Sequence, residues 1–266
     1  MSLVIDSHTH VWSDKCPLTP ERRYTPAYSR SSEDLLAQMK VAGVNRAVLV
    51  QPSFLGTDNR YLLQQLGCYP EIFRGVVVVD RHIQEADFAP MVAKGVTGVR
   101  LNIIGSTVSG RQLVQEHQHL IQLLNKFDCH LEIQSHNDHW VELLPALMQT
   151  GVTVVVDHFG RPDSNRSAGF QAVLNHLNSG KLWVKLSGEY RFAAAPIPLA
   201  TALLNHRPDR LVWGSDYPWT QHEAGRRYQD CFTQLAQWTS HQYLEAIRAD
   251  NPARLFKFDT EGLTSF

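Results

Sequence analysis

His8 and His10 stand one residue apart in the run Asp6-Ser7-His8-Thr9-His10. On a β-strand the side-chain period is two, so both imidazoles face one side and can reach a single atom. That atom could be a divalent metal or a carbonyl oxygen in need of hydrogen-bond donors. A second H-x-H, His117-Gln118-His119, falls in helical spacing, where positions i and i+2 diverge, and carries no such expectation. The run 157–163, D-H-F-G-R-P-D, adds His158, and the run 213–218, W-G-S-D-Y-P, adds Asp216. A carboxylate beside imidazoles can act as a general base towards water or as a metal ligand; capping a helix is the plainer alternative for an aspartate near a proline.

Arg100, Arg161 and Arg191 follow later apolar runs. Any one of them could serve a surface ion pair, but three at one rim predict a carboxylate ligand, because guanidinium meets carboxylate bidentately and lysine cannot. Lys185 reads as an interior lysine neutralised by Glu132 or Asp157 rather than a Schiff-base nucleophile, His136 and His139 as satisfied or capping histidines, and Trp213 and Trp219 as packing.

These residues need a scaffold that brings distant positions together. Eight short β-branched runs alternate with helical spacing, at 3–8, 46–51, 74–80, 98–103, 130–135, 152–158, 182–187 and 211–216. Their starts lie about thirty residues apart, one βαβ unit each. Between them, Ser31 and Asp34 form a capping box for a helix that stops at Gly43, Leu113 to Leu124 form one apolar stripe, and Phe170, Val173, Leu174 and Leu177 form another. With no G-x-G-x-x-G or Walker A motif, the pattern predicts an α/β fold, a single (β/α)8 TIM barrel over one domain, 1–266. Such a barrel carries its chemistry at the C-terminal strand ends, where the polar runs fall.

Composition removes other classes. Lys plus Arg number 25 against 26 Asp plus Glu, so the basic excess of a nucleic-acid binder is missing. No apolar run approaches the roughly 18 residues of a membrane helix. Cys16, Cys68, Cys129 and Cys231 form no C-x-x-C pair, which fits a reducing, cytoplasmic setting. Whether the barrel assembles into a homo-oligomer stays open.

Taken in order, D-S-H-T-H at 6–10, V-Q-P-S-F-L-G-T-D-N at 50–59, G-V-R-L-N at 98–102, D-H-F-G-R-P-D at 157–163, W-G-S-D-Y-P at 213–218 and N-P-A-R-L-F at 251–256 resemble the amidohydrolase superfamily over almost the whole chain. Within it the chain is most similar to the 2-pyrone-4,6-dicarboxylate lactonases. The resemblance implies a lactonase acting on a carboxylated lactone without a metal or other cofactor. In it Asp216 activates water, and His8, His10 and His158 hydrogen-bond the lactone carbonyl. Ser53, Arg100, Arg161 and Arg191 match substrate-binding positions. The sequence departs at two of them: Ser106 stands where the family has a second strand-four arginine, and Gln134 where it has a tyrosine.

One divalent ion such as zinc at His8, His10, His158 and Asp216 is the alternative, since relatives in the superfamily use the same positions as ligands. Arg100 on strand four speaks against it, because a guanidinium cannot ligate a cation and repels one. The rival activities are a zinc-dependent decarboxylase and an aldarolactone isomerase. From Ser106 and Gln134 the expectation is a preference for a related lactone over the pyrone dicarboxylate, unless Arg111 or Lys94 supplies the missing charge.

Overall fold

The structure, a computed structural model, describes residues 3–259; residues 1–2 and 260–266 of the expected 1–266 domain lie outside the described residues. Eight parallel strands run in sequence order as β1 Ile5–Thr9, β2 Arg46–Val50, β3 Phe73–Val77, β4 Val96–Asn102, β5 His130–Gln134, β6 Val154–Val156, β7 Leu182–Leu186 and β8 Leu211–Trp213. Helices follow the strands, so this is the expected (β/α)8 barrel. Both faces of each strand are covered, which is why β2 and β6 read as nearly unbroken apolar runs.

Strands six and eight are shorter than the apolar runs that announce them. His158 (φ 52°) and Asp216 (φ 58°) adopt left-handed backbone, which cannot continue a strand, so each run turns before its functional residue. The stripe from Leu113 to Leu124 is likewise two helices, Gly110–Glu116 and Gln118–Lys126, meeting at His117. The Ser31–Asp34 capping box and the Gly43 cap form as expected.

Closure of the barrel falls on the segments that carry chemistry. Asp216 N donates to His8 O at 2.9 Å and His10 N to Tyr217 O at 2.8 Å. The Asp6 carboxylate accepts from Ser215 N (2.8 Å), His8 N (3.1 Å) and the Tyr228 hydroxyl (2.7 Å), pinning β1 to the chain beyond β8. A Cβ on Gly214 would lie 2.6 Å from His8 Cβ, so only glycine permits this approach. Below, Ile5, Val48, Val50, Val76, Val155 and Val212 fill the barrel against Phe256 of the terminal helix Asn251–Phe256. Asn251 fixes that helix by donating to Pro208 O and Leu211 O, both at 2.8 Å. Among the described residues no helix is long and apolar enough to cross a membrane.

Candidate active site

Above the apolar filling lies a layer of buried charge. Lys185 Nζ meets Glu132 Oε2 at 2.5 Å and lies 3.6 Å from Asp157 Oδ1, and Arg100 Nε donates to Asp157 Oδ2 at 2.9 Å. Two cations face two carboxylates here. Burial alone would raise the Asp157 carboxyl, but Arg100, Lys185 and His158 hold it below its ordinary value. The expectation that Lys185 is neutralised by Glu132 and Asp157 is met by this geometry.

This layer fixes the protons of the histidines above it. The third contact of Lys185 is His8 Nδ1 at 3.0 Å, and because an ammonium only donates, His8 carries its own proton on Nε2. That Nε2 faces His10 Nε2 at 3.3 Å, while His10 Nδ1 donates to Val50 O at 2.7 Å. A directed line therefore runs from Lys185 through His8 and His10 to Val50. Burial, then the charges of Lys185, His158 and His10, keep His8 neutral by lowering its pKa well below the ordinary imidazole value. His158 Nδ1 pairs with Ser187 Oγ at 2.9 Å, and burial brings its pKa down to about 4.

Asp216 lies at the centre of the mouth with its two oxygens unequally engaged. Oδ2 accepts from Arg191 Nε at 2.5 Å and from the Tyr190 hydroxyl at 2.6 Å. Oδ1 has no hydrogen-bond partner among the described residues, and His10 Nε2 stands 3.4 Å from it. Burial would raise this carboxyl, but Arg191, then His158, His10 and His8, hold it well below the carboxylate range, so it is ionised throughout the working range of pH. Burial and the Asp216 charge keep the Tyr190 phenol protonated, hence a donor.

The mouth opens into a cavity of about 300 Å³. Of the residues named from sequence, His10, Ser53, Arg100, Gln134, His158, Arg161, Arg191 and Asp216 line it. His8 does not; it is fully buried behind His10, with the two Nε2 atoms 3.3 Å apart. Arg100 NH2 donates to Gln134 Oε1 at 2.7 Å, so the glutamine orients the arginine. Arg161 is carried by four consecutive left-handed residues, 158–161, a conformation that costs about 1 kcal/mol or more at each non-glycine position. It donates to Arg191 O at 2.9 Å. His139 has both ring nitrogens satisfied, by Ser135 Oγ and Val108 O, each at 2.8 Å.

Ser106, Arg111 and Lys94 lie outside the lining, and Lys94 follows the helix Glu85–Ala93 at the opposite end of the barrel. Asn102, from the polar end of strand four, lines the cavity too, and Arg23, Tyr24, Tyr190 and His222 line it without having been picked out by sequence. For Tyr190 a signal existed in its place beside Arg191. Arg23 and Tyr24 sit in an irregular loop without periodicity and offered none.

A divalent ion is a fair test of this arrangement. His8, His10 and Asp216 offer ligand atoms within 4.8 Å of one another, and Asp216 Oδ1 is an orphaned acceptor. The surroundings do not fit. A metal-bound imidazole normally donates its second N–H to an acceptor, whereas His8 Nδ1 receives from an ammonium, and the other oxygen of Asp216 is held by a guanidinium.

Comparison with known proteins agrees with this geometry. The chain is 28% identical over 277 aligned residues to a 2-pyrone-4,6-dicarboxylate hydrolase of Comamonas testosteroni, covering 95% of this chain and 89% of that protein. It is 27% identical to a 4-sulfomuconolactone hydrolase of Hydrogenophaga intermedia, covering 94% and 88%. The solved structure of a candidate 2-pyrone-4,6-dicarboxylic acid hydrolase from Pseudomonas putida superposes with a TM-score of 0.90 at 38% identity, over 98% of this chain and 100% of that one. The family model described as amidohydrolase matches residues 5–258, and the chain belongs to the amidohydrolase family.

Proposed function

We propose that this protein is a lactonase that opens a carboxylated lactone, 2-pyrone-4,6-dicarboxylate or a related dicarboxylate or sugar-acid lactone, with water activated by Asp216 and without a metal. The observation that carries the reading is the asymmetry of Asp216: one oxygen locked by Arg191 and Tyr190, the other free beside His10 at the floor of an arginine-lined cavity. A water donating one proton to Asp216 Oδ1 turns a lone pair towards the ring carbonyl. His158 Nε2–H and the guanidinium groups polarise that carbonyl, each such donor contributing on the order of 10²-fold.

As the water oxygen bonds to the carbonyl carbon, its proton passes to Asp216. The acyl C–O bond then breaks, and the departing ring oxygen takes that proton back. A strongly ionised carboxylate is a weak base, and Arg191 is the reason. When a substrate carboxylate shares the Arg191 guanidinium, its pull on Asp216 falls and the base strengthens, so an anionic lactone activates its own hydrolysis. Free Cys68 and the other unpaired thiols fit a cytoplasmic setting.

Hydrolysis of a panel of carboxylated lactones in ¹⁸O-water tests this. One labelled oxygen in an open-chain acid, at a rate unchanged by extensive chelation, is expected. An unlabelled isomeric lactone would indicate the isomerase, and carbon dioxide release restored by zinc the decarboxylase.

A further inference from the structure

Four guanidinium groups, those of Arg23, Arg100, Arg161 and Arg191, line the cavity, and their partners differ. Arg100 is matched from beneath by Asp157, and Arg191 by Asp216. Arg161 gives one N–H to a carbonyl, forms no ion pair and feels Asp216 only at a distance, and Arg23 makes neither a hydrogen bond nor an ion pair among the described residues. Two cations without counter-charge in one cavity of about 300 Å³ call for two anionic groups on whatever binds there.

Arg23 is exposed, yet its backbone is held in place. It belongs to the loop 13–30 between β1 and the helix Ser32–Ala42, which crosses the barrel mouth. On one side, Thr19 N donates to Phe54 O at 2.9 Å, and Arg22 spans the loop to Thr19 O (2.9 Å) and Thr25 Oγ1 (2.7 Å). On the other, Tyr24 packs edge-on against Phe54 with ring centroids 5.3 Å apart. Tyr28 hydrogen-bonds Glu223 at 2.5 Å and receives Trp12 Nε1 on its carbonyl at 2.8 Å. The neighbours of Arg23 are fastened while its own side chain is left for the cavity. Burial and the charges of Arg191 and Arg23 all weigh on Arg161, which places the guanidiniums within electrostatic reach of each other.

We infer that Arg23 is a specificity-determining residue that binds the outer carboxylate of a dianionic substrate, supplying from the β1 loop the charge that Ser106 does not supply from strand four. This rests on the proposed lactonase for its substrate, and on the charges of the cavity alone for binding. With Arg23 in that role, the missing charge at Ser106 no longer argues for a related lactone over the pyrone dicarboxylate.

The test is calorimetric titration of the full-length protein and of Arg23→Gln and Arg23→Lys with isophthalate, a non-hydrolysable dianion, and with benzoate. Arg23→Gln is expected to weaken isophthalate about 10-fold, as suits a partly solvated ion pair, and to leave benzoate within about 2-fold. Arg23→Lys is expected to keep most of the isophthalate affinity. Equal weakening of both ligands, or no weakening of isophthalate, would overturn the inference, as would failure of the unaltered protein to bind isophthalate. If the binding pattern holds while no lactone is hydrolysed, the lactonase reading fails and the inference stands.

Discussion

Two layers of charge, a few ångströms apart, are built on opposite rules. The inner layer, Arg100 and Lys185 against Glu132 and Asp157, is balanced, buried and turned towards the histidines. The rim, Arg23, Arg161 and Arg191 against Asp216, carries two cations more than it has acids. A balanced layer in a low-dielectric interior can hold protons in one arrangement without attracting ions. An unbalanced layer at a solvent-facing mouth keeps its capacity for an anion that comes and goes. The difference separates what orients the site from what selects its substrate.

The largest effect should come from breaking the balance within. Lys185→Met leaves Glu132 beside Asp157 with one cation fewer and removes the donor to His8 Nδ1. A stability loss of about 3 to 5 kcal/mol is expected in denaturant unfolding. Lys185→Met with Glu132→Gln should recover most of it, because the pair leaves together. A single variant as stable as the parent would show the layer to be incidental.

Somewhat smaller is the clamp that closes the barrel. Asp6→Ala strands Ser215 N, His8 N and the Tyr228 hydroxyl, and about 3 kcal/mol should be lost in the same assay. Turnover should fall more than binding, since His8 and Asp216 are joined through this segment. A loss below about 1 kcal/mol would contradict the clamp.

The balance also predicts a pH dependence. His158 is depressed from 6.5 to about 4 by burial, so the unfolded chain takes up a proton that the fold refuses. Its contribution is present above pH 6.5 and is lost as pH falls towards 4, up to about 3 kcal/mol. Asp6, raised to about 6 mainly by burial, acts in the opposite sense, adding stability below pH 6 and down to about 4. Thermal melts between pH 7 and pH 5 should therefore decline less steeply in His158→Gln than in the parent. An unchanged slope would mean that His158 is not the neutral, buried group described.

Much of this was legible in the residues themselves. H-x-H at a strand end, the later His158 and Asp216, and the three arginines all fall at the mouth, because strand period and barrel topology dictate it. The ends of β6 and β8 were not legible, since nothing in the residue type of His158 or Asp216 announces a positive φ. Nor was the burial of His8 behind His10, which follows from Lys185 reaching up from β7. Arg23 escaped because its loop is held by Tyr24 against Phe54 and by Tyr28 to Glu223, contacts that join residues far apart in the chain.

In the proposed lactonase the free oxygen of Asp216 takes the proton from water. Asp216→Asn keeps the shape and the acceptor to Arg191 while removing the base. Steady-state turnover of a carboxylated lactone should fall by about 10²-fold or more, with its dissociation constant changed by less than about 3-fold. Turnover within a few-fold of the parent would contradict the account.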